Sequence, residues 1–293
     1  LSLMHIKALR LFLQQINLLN WADQLNFRSF QVPSVIAIVA HPDDIEFLFA
    51  GTMLQLAARG WDLHYMNISS GNCGSIEMNS TVTRKTRKEE AMKAAYLMGA
   101  KFHPSICDDL EIVYSVDLLR QLASIIRTVK PDVVLTHSTD DYMIDHMETA
   151  RLAVTAAFSH GMPNFKTKPM TSHLEDHNVS LYHAMPHGLV DSYRKKIIPE
   201  AYVDITSVID TKRSALAEHH SQHSWLEASQ GMNSYLSSMD EMSEQMGLLS
   251  GKFKYAEGWR RRLHIGFSKE DQNPLKDALG DMYYSEPNYF QND

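Results

Sequence analysis

Val35-Ile36-Ala37-Ile38-Val39-Ala40-His41-Pro42-Asp43-Asp44 is an unbroken apolar run that stops on an imidazole, a proline and two carboxylates. A continuous Val/Ile run predicts a strand buried on both faces, the pattern of a parallel sheet. Its abrupt polar end puts His41, Asp43 and Asp44 at one edge of that sheet. Similar runs follow at Asp62 to Ser69, more weakly at Lys101 to Ile106, and at Asp132 to Thr136. Between them, Glu46 to Arg59, Arg84 to Met98 and Val116 to Lys130 carry helical patterns, closed by Gly60, Gly99 and Pro131. Strand alternating with helix implies right-handed crossovers and an α/β sandwich with a mostly parallel sheet.

His146 to His160 predicts a further helix, Val179 to Ala184 a further strand and Ser207 to His219 another helix. Leu226 to Gly258 is expected to mix helix and loop. The run Arg260-Arg261-Arg262 is expected on a solvated helix face. The apolar stripe from Ile6 to Leu19 predicts an amphipathic N-terminal helix over about 5–20. The whole of 1–293 is expected as a single domain whose part from about 207 to 293 is irregular and helical.

Composition excludes several classes. A net charge of -7 argues against a nucleic-acid binder, which wants a basic face. Two cysteines, Cys73 and Cys107, give no disulfide framework and point to a reducing, cytoplasmic location. No stretch of about 18 apolar residues predicts a transmembrane helix. With no Gly-x-Gly-x-x-Gly after the first strand, a dinucleotide-binding oxidoreductase is excluded.

In open α/β sheets ligands bind beyond the carboxyl ends of the strands. His41 to Asp44, Ser70 to Ser75 and His137 to His146 follow the first, second and fourth strands, so three polar loops converge on one edge. Imidazole and carboxylate are good ligands for divalent zinc, and a catalytic site needs three of them plus an open position. His41 and Asp44, three apart around a proline-stiffened turn, supply two, and His146 is the best third. Asp43 is then the unligated carboxylate beside the metal. Taken alone, a His-Pro-Asp run serves more often to cap and hydrogen-bond a loop; the downstream Asp145-His146 favours the metal.

These segments resemble the PIG-L (LmbE-like) family of zinc-dependent N-deacetylases. Ala40-His41-Pro42-Asp43-Asp44-Ile45-Glu46 is close to the family's Ala-His-Pro-Asp-Asp-Glu, with Glu46 one place late. Gly71-Asn72-Cys73-Gly74, Arg87-Lys88-Glu89-Glu90, Asp145-His146, Lys212 to Gln222 and Ala256-Glu257 extend the likeness over most of the chain. The resemblance implies a Rossmann-like three-layer sandwich and one zinc on His41, Asp44 and His146, where another divalent transition metal such as iron or cobalt also fits. It implies Asp43 as general base toward zinc-bound water, and loss of an acetyl group from an N-acetylated amino sugar, such as an N-acetylglucosamine, or a glycoconjugate.

One departure stands out. Where many members have His-Pro-Asp-His, this chain has Met143-Ile144-Asp145-His146, and a thioether donates no hydrogen bond to an oxyanion. His183 and His187 are candidates to replace that histidine, with His137 a weaker one. Asp145 is expected to support the site as an acceptor or helix-capping carboxylate. Arg87 either binds substrate or pairs with Glu89 or Glu90. His219 and His223 are four apart, but no glutamate accompanies them as in a zincin, so a structural role is favoured. The loops Gly71 to Thr83 and Gly161 to His177 are expected to set the substrate. Two rivals remain: a non-catalytic sugar-binding protein on the same scaffold, and an amidase for a larger acyl group or a thiol conjugate.

Overall fold

Strand β1 (Ser34–Val39) is buried along its whole length. Val35, Ala37 and Val39 enter one apolar core and Ile36 and Ile38 another, the consequence of successive side chains pointing to opposite faces. The computed structural model describes residues 32–230, 235–287 and 289. Pro33 onward forms one compact unit. The helix expected over about 5–20 lies outside the described residues.

After β1 come α1 (Asp44–Leu48), α2 (Ala50–Ala57), β2 (Asp62–Asn67), α3 (Ser80–Leu97), β3 (Lys101–His103), α4 (Val116–Val129), β4 (Val133–Thr136), α5 (Ile144–Phe158) and β5 (Ser180–Ala184). The chain continues through β6 (Ala201–Asp204), α6 (Ile209–Leu216), α7 (His220–Gln230), α8 (Tyr235–Ser250), β7 (Ala256–Arg261), α9 (Pro274–Leu279) and β8 (Tyr283–Ser285). The eight strands form one sheet in the order β3-β2-β1-β4-β5-β7-β6-β8. The first five pair in parallel, with Val35 facing Leu63 on one side and Val133 on the other. β7, β6 and β8 add an antiparallel flank. Helices cover both faces: α4 and α5 pack Leu122, Ile126 and Leu152 on one, while α1, α2, α3 and α6 pack Ile45, Met53, Ala94 and Leu216 on the other. The architecture is the expected Rossmann-like α/β sandwich.

Local chemistry sets the element ends. Ser115 and Asn79 accept the N–H groups of Leu118 and Val82 as N-caps of α4 and α3. Gly60 and Gly99 take positive φ after their helices, as expected of stops. After α4, Lys130 itself adopts the left-handed conformation, at φ 56°, and Pro131 prevents continuation.

Two expectations are corrected. The helix expected as one piece from Glu46 to Arg59 is two, parted at Phe49, because Glu257 accepts the N–H groups of Gly51 and Thr52 and so starts a new helix. Gly51 is needed there: a Cβ would lie 2.4 Å from Ile205 Cγ2. The arginine run is also not helical. Arg260 and Arg261 end β7 opposite His183 and Tyr182 of β5, and Arg261 reaches out to Asp271 at 2.6 Å. Pairing with β5 decides that segment, which local charge did not reveal.

Candidate metal centre and active site

β1 and β4 are neighbours, and the chain leaves their carboxyl ends toward opposite sides of the sheet, which opens a crevice there. The turn His41 to Asp44 and the loop His137 to Asp145 line it. Asp43 sits in that turn at φ 110°, a conformation sterically unfavourable for a side chain bearing a Cβ. α5 starts at Ile144, so Asp145 and His146 occupy its first turn.

Asp44 faces three imidazoles, its Oδ1 3.4 Å from His146 Nε2 and its Oδ2 3.5 Å from His41 Nδ1 and 3.3 Å from His137 Nε2. Two atoms bound tetrahedrally to one zinc at about 2.1 Å lie roughly 3.4 Å apart, so the spacing fits a shared ion. His146 Nδ1 lies 3.1 Å from Asp141 and His41 Nε2 3.2 Å from Asp145. Each carboxylate orients one ring and leaves the other nitrogen toward Asp44. Asp145 also accepts the Leu110 N–H at 2.9 Å.

The electrostatics of the site favour a cation. Burial works against a charged His146, yet Asp44 and Asp141 outweigh it and raise the ring to about 10. Burial likewise opposes charge on His41, and hydrogen bonds to Asp145 and Asp44 raise it to about 9. Three carboxylates thus demand positive charge at this spot, which a divalent ion supplies. A second compact grouping, His137, Asp141 and His146, is not free to do the same. The Ala40 N–H donates to His137 Nε2 at 2.9 Å and occupies that lone pair.

Asp43 takes no part in the ligand grouping. Tyr235 donates its hydroxyl to Asp43 Oδ2, and Arg87 Nη2 lies 3.8 Å from Oδ1. Burial pushes the Asp43 carboxyl up to about 6, against the pull of the Arg87 charge. Arg87 is buried and holds two carbonyls, Pro42 at 2.7 Å and Gly71 at 3.2 Å. Its helix neighbours have other partners: Glu90 accepts from Ser221 and Glu89 pairs with Lys85. Arg87 thus clamps the turn that carries Asp43.

A cavity of about 430 Å³ opens above these groups. His41, Asp43, Asp44, Asp145, His146 and Arg87 form its base, and Met143 and His187 also line it. Phe47, Leu110, Tyr142, Trp225 and Leu226 make the walls aromatic and apolar, with Gln222 adding an amide. His183 and His137 are not brought to it. His183 Nδ1 is spent on the His137 carbonyl at 2.7 Å, and burial holds its ring down to about 4. His219 is buried against Glu46 at 3.2 Å, a structural role. Of the two loops expected to set the substrate, Cys73 and Gly74 of the first reach the cavity, and no residue from 161 to 177 does. Helices α7 and α8 take that wall instead. Sequence inspection missed Asp141 and Tyr235; Asp141 had a weak signal, lying in the same polar loop as His146.

Residues 36–157 match the family model described as PIG-L: GlcNAc-PI de-N-acetylase. The chain is 27% identical over 199 residues to diacetylchitobiose deacetylase of Thermococcus kodakarensis, covering 65% of this chain and 70% of that one. It is 28% identical over 191 residues to 4-oxalmesaconate hydratase of Pseudomonas putida, covering 62% and 71%. A solved structure of 4-carboxy-2-hydroxymuconate hydratase from Pseudomonas putida superposes with a TM-score of 0.67 at 24% identity, over 83% of this chain and 99% of that one.

Proposed function

We propose that this chain, a member of the PIG-L family, is a metal-dependent deacetylase that removes the acetyl group from an N-acetylated amino sugar or glycoconjugate. The observation that carries the proposal is Asp43: an unligated carboxylate, raised by burial to about 6, beside a compact His41, Asp44 and His146 grouping. Zinc is the ion that two imidazoles, one carboxylate and an open position suit best, and when bound it supplies Lewis acidity toward a carbonyl and a water.

The protein's own groups do the rest. Tyr235 occupies Asp43 Oδ2, which leaves Oδ1 to take the proton of the attacking water. A carboxyl near 6 then returns that proton to the leaving amine, which departs neutral. Asp141 and Asp145 hold the two imidazoles in place throughout. Met143 offers no hydrogen bond to the developing oxyanion, and His187, lining the same cavity and kept neutral by burial, is the donor we assign. The aromatic and apolar walls suit the faces of a sugar ring and an acetyl methyl.

The Pseudomonas relative raises hydration of a polycarboxylate as the alternative. Such a substrate wants free cations, yet the one Arg or Lys among the described lining residues is Arg87, committed to two backbone carbonyls. A neutral N-acetyl substrate fits better. The test is acetate release by zinc-loaded protein across N-acetylated amino sugars and their glycosides, with hydration of 4-oxalmesaconate in parallel. Chelator-sensitive acetate release supports the proposal. Hydration without acetate release overturns it, and longer acyl groups cleaved in preference to acetyl would redirect it to an amidase. Asp43→Asn is expected to keep its zinc and lose most turnover; full activity in that variant removes Asp43 as the base.

A further inference from the structure

A second cavity, of about 300 Å³, lies against the same turn. Pro42 lines it, while His41, Asp43 and Asp44 line the first. Arg84 and Lys88, one turn apart on α3, stand at its exposed side, and Asn67, the last residue of β2, lies within it.

The hydrogen-bonding balance of this cavity is incomplete. Asn67 is 1% exposed, and while its Nδ2 faces the Tyr65 hydroxyl, its Oδ1 accepts no hydrogen bond. The Tyr65 hydroxyl on the same strand face donates to Glu46, so it cannot serve Oδ1. A buried amide oxygen without a donor is uncommon in folded proteins and often marks where a ligand or water belongs. Ser70 and Ser105 have already donated, to Asp108 and to the Ser69 carbonyl, and can only accept. On the other side of the balance, Arg84 neutralises Asp108 with one terminal nitrogen and keeps further N–H groups free, and no carboxylate lies within ion-pair reach of Lys88 among the described residues. The rim therefore offers donors and a net positive charge, and the depth offers an acceptor that needs a hydroxyl. Phe102 and Pro104 supply an apolar wall between them.

We propose that this cavity is a binding site for a hydroxylated phosphate monoester, such as a sugar or polyol phosphate. The phosphate lies at the rim against Arg84 and Lys88, whose guanidinium and ammonium suit its oxygens. The carbon skeleton lies on Phe102 and Pro104, and one hydroxyl donates to Asn67 Oδ1. The volume exceeds that of a bare phosphate, which argues for the organic portion. The site stands independently of the reaction proposed above.

Isothermal titration of the metal-depleted full chain with glucose 6-phosphate, inorganic phosphate and glucose tests this, metal removal preventing capture of phosphate at the first cavity. Saturable 1:1 binding of glucose 6-phosphate, at least tenfold tighter than either inorganic phosphate or glucose, is expected. Lys88→Gln should weaken it at least tenfold, and Asn67→Leu should bring it down to the level of inorganic phosphate. Equal affinity for inorganic phosphate overturns the organic portion of the ligand. Absence of saturable glucose 6-phosphate binding, or unchanged binding in Lys88→Gln, a surface change that leaves the core intact, overturns the site.

Discussion

Replacing Glu257 with Gln tests how much one buried carboxylate holds together. Glu257 Oε1 accepts from the Gly51 N–H at 2.8 Å and from Lys212 Nζ at 2.7 Å, and Oε2 accepts from the Thr52 N–H at 2.8 Å. Glu257 is 4% exposed and Lys212 is 1% exposed. The amide keeps the shape but removes the charge, leaving the Lys212 ammonium buried and uncompensated, which costs roughly 3–5 kcal/mol. In domains of 150–250 residues each kcal/mol moves the melting temperature by about 2–4 °C, so a fall of about 6–20 °C is expected. Thermal unfolding at pH 7, followed by far-UV circular dichroism, reads it. Lys212→Met combined with Glu257→Gln removes the stranded charge and should recover a large part of the loss. A single variant melting within 2 °C of the wild type would refute the reasoning, since the ion pair would then not be compensating a buried charge.

Asp141→Asn should weaken zinc binding about 10–100-fold, because the amide still accepts from His146 Nδ1 but no longer polarises the ring; a chelator-competition titration measures it. Tyr235→Phe should lower turnover by roughly 10–100-fold with zinc content unchanged, the worth of a hydrogen bond to a charged carboxylate, read by kcat beside metal analysis. His183 is held neutral by burial at about 4, against about 6.5 when unfolded, so the unfolded state binds the extra proton between those values. Its contribution to stability is present above about pH 6.5 and is lost as pH falls toward 4, by about 3 kcal/mol at most. His183→Asn, which can keep the hydrogen bond to the His137 carbonyl, should flatten the difference in urea midpoint between pH 7 and pH 5; an unaltered slope would count against it.

What the sequence revealed of the site is what is local. The Val/Ile run, the turn residues of His41 to Asp44 and the helix start at Asp145-His146 each declare themselves within ten residues, because strand burial and capping are short-range properties. Tyr235 did not, since it reaches Asp43 across 192 positions through the docking of α8, and no periodicity announces where a helix will lay its first residue. The antiparallel flank was hidden for a related reason. Ala201–Asp204 and Tyr283–Ser285 are too short to carry a pattern, and pairing alone makes them strands, the first against β7 and the second against β6.

The histidines show the same division more sharply, because residue type alone does not say which nitrogen is available. His183 lies next to the last residue of β5, His137 follows β4 directly, and His146 lies in the first turn of α5, the helix that the β4 loop leads into. His183 spends Nδ1 on a carbonyl and His137 spends Nε2 on a backbone N–H, so both are turned into fixtures of the sheet edge. His146 alone gives its outer nitrogen to a carboxylate, Asp141, and keeps the inner one for Asp44. The proposed ligand His146 thus differs from the two structural histidines in what its other nitrogen touches. That contact is set by the loop from His137 to His146 folding back on itself, five residues from Asp141 to His146 being enough to bring the carboxylate behind the ring. The adjacent Asp145 serves His41 instead, on the opposite loop, so two acids four positions apart each orient one of the two imidazoles and tie the β1 and β4 loops into a single centre.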